Sequence, residues 1–224
     1  MKKFALALGA LALSAHTAQA ATITYYLEDQ QGSDPVRIAV TLNDGVEAGK
    51  VQFTVAVAPN LAFPNIADLR GFFFNSANDA WVGGFSFAGA NVTSSVQNAN
   101  SVSSAGSGNN VNPLGGFDLG VEIGDPGIGG GDDFQSTMFL VSHNSVSLTN
   151  ASFLPGTFDA SSLFAVRATS TGLPGGNRGG SSKTYCAVAS ECEDTPGDNV
   201  PEPTSLVLMG LGLLGAATAS RRKQ

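Results

Sequence analysis

Between Val36 and Val57 the side chains change character at every second residue, and that period limits what this chain can become. Val36, Ile38, Val40 and Leu42 alternate with Arg37, Ala39 and Thr41, and after Asn43-Asp44-Gly45 the residues Val51, Phe53, Val55 and Val57 alternate again. Successive side chains of an extended strand point to opposite faces, so each segment gains one apolar and one polar face. With turn chemistry between them, the two read as an antiparallel hairpin joined by six or seven residues. Further strands are expected at 22–28, 69–75, 81–87, 117–123, 134–142, 162–170 and 183–189. Pro59-Asn60, Gly83-Gly84, Gly115-Gly116, Asp125-Pro126-Gly127 and Pro174-Gly175-Gly176 supply the turns between them. No stretch of the body carries an amphipathic helical period. The expectation is an all-β fold, an antiparallel β-sandwich of jelly-roll-like kind, with Phe72, Phe73, Phe74, Trp81, Phe85 and Phe87 as its aromatic core. The polar, low-complexity run 98–112 has almost nothing to bury and is expected to be a mobile loop.

Both ends of the chain read as addresses rather than as parts of that fold. Lys2-Lys3, the apolar run Phe4 to Leu13 and Ala18-Gln19-Ala20 make a signal peptide over 1–20, cut by signal peptidase between Ala20 and Ala21. At the other end, Val200-Pro201-Glu202-Pro203-Thr204-Ser205 leads into the apolar stretch 206–219 and then into Arg221-Arg222-Lys223. Each proline lacks an amide donor and pushes its predecessor toward extended geometry, so Glu202 is held in an open backbone that a processing enzyme can grip. A helix over 206–219 would be about 21 Å long at ~1.5 Å per residue, short of the ~30 Å hydrocarbon core. Snorkelling of the basic residues covers the shortfall and holds them on the cytoplasmic side.

This tail resembles the PEP-CTERM sorting signal of Gram-negative bacteria. The resemblance implies export, a transient stay in the inner membrane, and cleavage near Pro201, Glu202 and Pro203 by a membrane-embedded exosortase. It further implies release to the cell envelope or matrix, where exopolysaccharide is secreted. The chain would be the substrate in that reaction, not the catalyst.

Between the two signals, 21–189 is expected to form the ectodomain and 190–199 an acidic linker, with the sorting signal over 200–224. From 21 to 200 there are six basic residues (Arg37, Lys50, Arg70, Arg167, Arg178, Lys183) against seventeen acidic ones. Such a surface repels nucleic acid and anionic membranes, and leaves divalent cations or neutral polysaccharide as easier partners. Cys186 and Cys192 are the only cysteines, and in an oxidising compartment they are expected to pair.

Catalytic chemistry is short of parts. His143 is the one imidazole left after removal of the signal peptide, and no Gly-x-Ser-x-Gly elbow accompanies it. Several-histidine zinc sites are ruled out. Asp118 and Glu122 lie on one predicted strand at i and i+4, about 13 Å apart, outside the separation that glycosidases use. The densest constellation is Glu122 to Asp133, where Glu122, Asp125, Asp132 and Asp133 surround a glycine-rich turn. Calcium takes about six to eight oxygens, and these four carboxylates are its candidate ligands, although the run follows no EF-hand. The bland alternative is a solvated acidic loop between two strands. Apart from that ion no cofactor is expected, and the chain is expected not to be an enzyme. A structural or adhesive role linked to exopolysaccharide or biofilm fits best. The alternatives are a carbohydrate-binding module, which needs exposed rings such as Trp81 or Tyr185, and an extracellular glycoside hydrolase, which needs paired carboxylates in a cleft.

Overall fold

A computed structural model describes residues 21–32, 34–126, 133–154 and 163–186, all within one compact unit. Eleven strands run through them: β1 Thr22–Leu27, β2 Asp29–Gly32, β3 Ile38–Asn43, β4 Val51–Val57, β5 Ile66–Phe74, β6 Phe85–Ala88, β7 Val92–Val102, β8 Phe117–Ile123, β9 Ser136–His143, β10 Phe164–Gly172 and β11 Gly180–Cys186. They form two antiparallel sheets, ordered β1-β3-β4-β9-β6 and β2-β11-β10-β5-β8-β7. The sheets hold five and six strands, against the eight in all of a jelly roll.

The hairpin foreseen at 36–57 is β3–β4, in register from Ile38 opposite Val57 to Asn43 opposite Gln52. Its alternate residues Ile38, Val40, Leu42, Val51, Phe53 and Val55 are wholly buried. They meet Leu69, Phe72, Phe74, Leu119, Val121, Phe164 and Val166 from the other sheet, which makes the fold a sandwich. Phe53 is the centre of that layer. Its ring lies 5.8 Å from Phe72, 5.0 Å from Phe74, 5.5 Å from Phe139 and 5.0 Å from Phe153. Offset and edge-on contacts at such distances add about 0.5–1.5 kcal/mol per pair to the burial itself.

Both edges of the sandwich are bridged. On one side the chain passes from β1 in the first sheet to β2 in the second through Glu28. On the other, Gln97 of β7 reaches across to β6: its carbonyl accepts from the amides of Gly83 (3.0 Å) and Phe85 (3.1 Å), and its amide donates to the Phe85 carbonyl (2.8 Å). One side chain thus completes the hydrogen bonding of a strand end.

The expected mobile loop at 98–112 is overturned. Residues 98–102 belong to β7, and 103–116 fold back over the outer face of the six-stranded sheet. There Val102, Ala105, Val111 and Leu114 pack on Phe73, Phe117 and Ala165, all buried. Four apolar side chains at irregular spacing suffice because the sheet leaves them room. Gly71 and Gly120 occupy the outer face beside Phe73, and a Cβ on either would come within 3.1 Å of its ring. The backbone is also satisfied: Ala105 N–H donates to the Asn109 carbonyl and Val111 N–H to that of Ser103.

Other differences are smaller. The strand expected at 22–28 is β1, and a further short strand, β2, follows it at Asp29–Gly32. At 81–87 a 3-10 turn over Asp79–Trp81 precedes the shorter β6. The run Phe72-Phe73-Phe74 is buried on both sides of the sheet, not alternately, because the covering segment closes over Phe73.

This covering segment yields a test. In native-state hydrogen exchange, the amides of Ala105 and Val111 are expected to be protected to the level of neighbouring strands, and Val111→Ser to lose that protection along with about 1.5–3 kcal/mol of stability. Fast exchange throughout 103–111 in the parent chain would restore the mobile loop.

Candidate functional site

The buried carboxylates are the first place to look for chemistry, and each proves to be a clamp. Asp118, on β8, accepts from the backbone amides of Ser76 (2.8 Å) and Asn100 (2.7 Å), tying the end of β5 to β7. Glu122, four residues on along the same strand face, accepts from Ser94 Oγ (2.8 Å) and Asn109 Nδ2 (3.0 Å). Gly106 passes so close that a Cβ there would lie 2.1 Å from the Glu122 carboxylate, so the covering segment is fitted around this group. Buried charge held by several donors is a device for fixing conformation. Neither carboxylate is arranged to share a substrate with the other.

The proposed calcium set is divided by the structure. Glu122 faces Ser94 and Asn109, whereas Asp133 forms a bidentate pair with Arg178, both contacts 2.6 Å. Asp125 is exposed, and its backbone carbonyl accepts from Arg70 (2.5 Å). Asp132 lies outside the described residues. Among the described residues no group of three or more His, Cys, Asp or Glu side chains is placed to hold a metal ion.

Around Arg70 a second charged group assembles at the end of the outer face. Between Arg167 and Ala168 of β10 the partner strand advances from Gly71 to Leu69, leaving Arg70 as an extra residue in β5. Its wholly buried guanidinium reaches Asp68 Oδ2 at 3.5 Å. Asp68 also accepts from the Phe134 amide (2.9 Å) and from Thr169 Oγ1 (3.4 Å). Burial pushes the Asp68 carboxyl up from the ordinary aspartate range, with the Phe134 amide and Arg70 opposing. Asp133 moves the other way, held down chiefly by the hydrogen bonds from Arg178.

Arg167 and Lys183 stand directly opposite each other on β10 and β11. Both are lowered by burial, and Lys183 additionally by the charge of Arg167. They bond to backbone oxygens, Arg167 to Ser182 (3.4 Å) and Lys183 to Asn112, so Lys183 fastens the covering segment to the sheet.

His143 is fully engaged. Its Nδ1 accepts from the amides of Ser145 and Val146, both at 3.1 Å, which leaves Nε2 as the protonated nitrogen, 3.0 Å from the Trp81 carbonyl. The ring stands edge-on to Phe85 at 4.9 Å. This is the histidine of a turn. Trp81 and Tyr185 are half-buried, packed against the main core and the Phe73 cluster respectively.

Ala21, the first described residue, sits in a set of three hydrogen bonds that the sequence did not single out. Its N–H donates to Asp44 Oδ1 (3.0 Å), and its carbonyl accepts from Asn150 Nδ2 (2.7 Å). The Asn150 amide in turn donates to Asp44 Oδ2 (3.1 Å). The only available signal was Asn43-Asp44-Gly45, legible as a turn.

Cys186 is buried and disulfide-bonded. Cys192, Ala20, Pro201, Glu202, Pro203, the stretch 206–219 and Arg221, Arg222 and Lys223 lie outside the described residues. Among the described residues no helix is long and apolar enough to cross a membrane.

The described residues thus form an all-β fold of two antiparallel sheets. Comparison with known families adds what lies beyond it: residues 199–223 match the PEP-CTERM protein-sorting motif. The chain therefore carries the signal of an exported protein sorted by exosortase. No curated protein and no solved structure matches the chain.

The two displaced carboxyls predict opposite pH behaviour. Asp133 titrates below its unfolded value, so its pairing stabilises above about pH 4 and is lost as pH falls through the folded value. Arg178→Gln should therefore lower the urea midpoint near neutrality, with the deficit closing in acid. Asp68 titrates above its unfolded value, so the folded state loses stability as pH rises from about 4 through the folded value, and Asp68→Asn should lack that slope. Parallel urea-midpoint curves for parent and variants from pH 3 to 7 would contradict both.

Proposed function

We propose that this chain is an exported, non-enzymatic protein of the bacterial cell envelope or matrix, whose β-sandwich acts structurally or adhesively after exosortase has removed the tail. The observation that carries the reading is the sorting motif over 199–223. Its Pro-Glu-Pro triplet, short apolar segment and basic end supply, in order, a graspable extended backbone, a membrane stop and a cytoplasmic anchor.

The described surface supports the non-enzymatic part. Asp118 and Glu122 are occupied by structural donors, and both nitrogens of His143 are committed. Every aromatic ring among the described residues is buried or half-buried, which favours a structural role over a sugar-stacking platform. Its place of action, beside secreted exopolysaccharide, is inferred from the sorting signal.

The test is the intact mass and C-terminal peptide of the native protein from membrane and extracellular fractions. The extracellular form is expected to end near Pro203, and replacing Glu202 and both flanking prolines with alanine to leave the chain in the membrane fraction. A chain that ends at Gln224 in every fraction would make the tail a permanent anchor and overturn the sorting reading.

A further inference from the structure

The hydrogen bonds around Ala21 have a meaning that depends on which end of the residue is charged. We propose that Asp44 and Asn150 form a receptor for the α-ammonium that signal-peptide removal creates at Ala21, so that processing completes the fold. This rests on the export reading for the existence of the cut, and on geometry for the rest.

In the cut, water adds across the Ala20–Ala21 peptide bond. The C–N bond breaks, Ala20 leaves as a carboxylate, and the nitrogen of Ala21 becomes an ammonium. That nitrogen already sits 3.0 Å from Asp44 Oδ1. The change replaces a neutral donor on the Asp44 carboxylate with a cationic one, so that a hydrogen bond between an amide and a carboxylate becomes an ion pair as well. The ammonium also brings two more protons than the amide had. Close by, the Asn150 side chain is buried, donates through Nδ2 to the Ala21 carbonyl, and leaves Oδ1 with no hydrogen-bond partner. A buried acceptor left empty on the side chain that already holds Ala21 is one that an ammonium at that residue can use, and burying it unsatisfied otherwise costs stability.

The surroundings hold the receptor still. Asp44 follows the last pair of the β1–β3 ladder, Thr22 opposite Asn43, so it meets Ala21 where the ladder ends. Gly45 N–H donates to Asn43 Oδ1 (2.9 Å) and shapes the turn. The second oxygen of Asp44 is fixed by the Asn150 amide, 106 residues along the chain. Asn150 stands in a glycosylation-type triplet, Asn150-Ala151-Ser152, and its burial here gives that asparagine another occupation.

The experiment compares two forms of the processed-length chain, Ala21 to Gln224 in detergent: one beginning at a free Ala21, the other carrying a short Gly-Ser extension before it. Each is made with Asp44 and with Asp44→Asn. The free form is expected to melt about 2–4 °C above the extended one, a shift in the range usual for a chain of this size. In the Asp44→Asn background the difference should vanish, which separates a lost ion pair from general damage by the substitution or the extension. Equal melting temperatures in the Asp44 background, or an equal gap in both backgrounds, would overturn the receptor. Terminal sequencing of the native protein separates this from the export reading. Ala21 at the N-terminus supports the receptor as a product of processing. A native chain that still begins at Met1 would defeat the export reading, and one beginning at another residue would defeat the receptor alone.

Discussion

The contact of Phe53 with the rings of Phe72, Phe74, Phe139 and Phe153 holds this molecule in register. It joins β4 of one sheet to β5 of the other, and both to the turn at Asn150–Phe153. Aromatic layers of this density leave little freedom to slip, because a one-residue shift of a strand would turn every inward ring to solvent. Once that layer is set, β5 and β8 lie inside the six-stranded sheet with both faces covered. The remaining devices answer that situation. The extra residue Arg70 re-aims β5, Gly71 and Gly120 make space for Phe73, and the segment 103–116 roofs the outer face.

A roof made of polar sequence explains why buried carboxylates are so prominent. Residues 103–116 bring few apolar groups, so part of their fixation comes from Glu122 gripping Asn109 and from Lys183 holding the Asn112 carbonyl. Asp118 does the same for β7 through Asn100. The partners of both carboxylates are backbone amides and short polar side chains of the chain itself.

What could be read from the sequence follows from the same physics. Half-buried strands write their burial in alternation, so β3 and β4 were legible almost to the residue, and β8, although buried on both faces, still alternates Phe117, Leu119, Val121 and Ile123 with Asp118, Gly120 and Glu122. The C-terminal sorting motif was legible because it works as linear text, recognised without folding. The strand β7 and the segment after it were not, since Val102, Ala105, Val111 and Leu114 follow no period and sit among serine, glycine and asparagine. The described members of the candidate calcium set part company for a related reason. Glu122 and Asp133 are neighbours in sequence, yet one ends up inside a central strand while the other turns toward Arg178 on a different hairpin. The Ala21 cluster joins residues 23 and 129 positions apart, a distance over which no local pattern speaks.

The bridge that Gln97 throws to β6 has a consequence for behaviour in a crowd. Open sheet edges invite a second copy to add its own strand, and a protein concentrated at a surface meets its copies often. Here β6 is only four residues long and has its Phe85 amide and carbonyl already taken, and β2 is equally short. The long edge β7 is broken by two shifts of register and by Asn100 at φ 53°. Three of the four sheet edges, β2, β6 and β7, therefore offer a second copy only a short or interrupted ladder on which to add a strand.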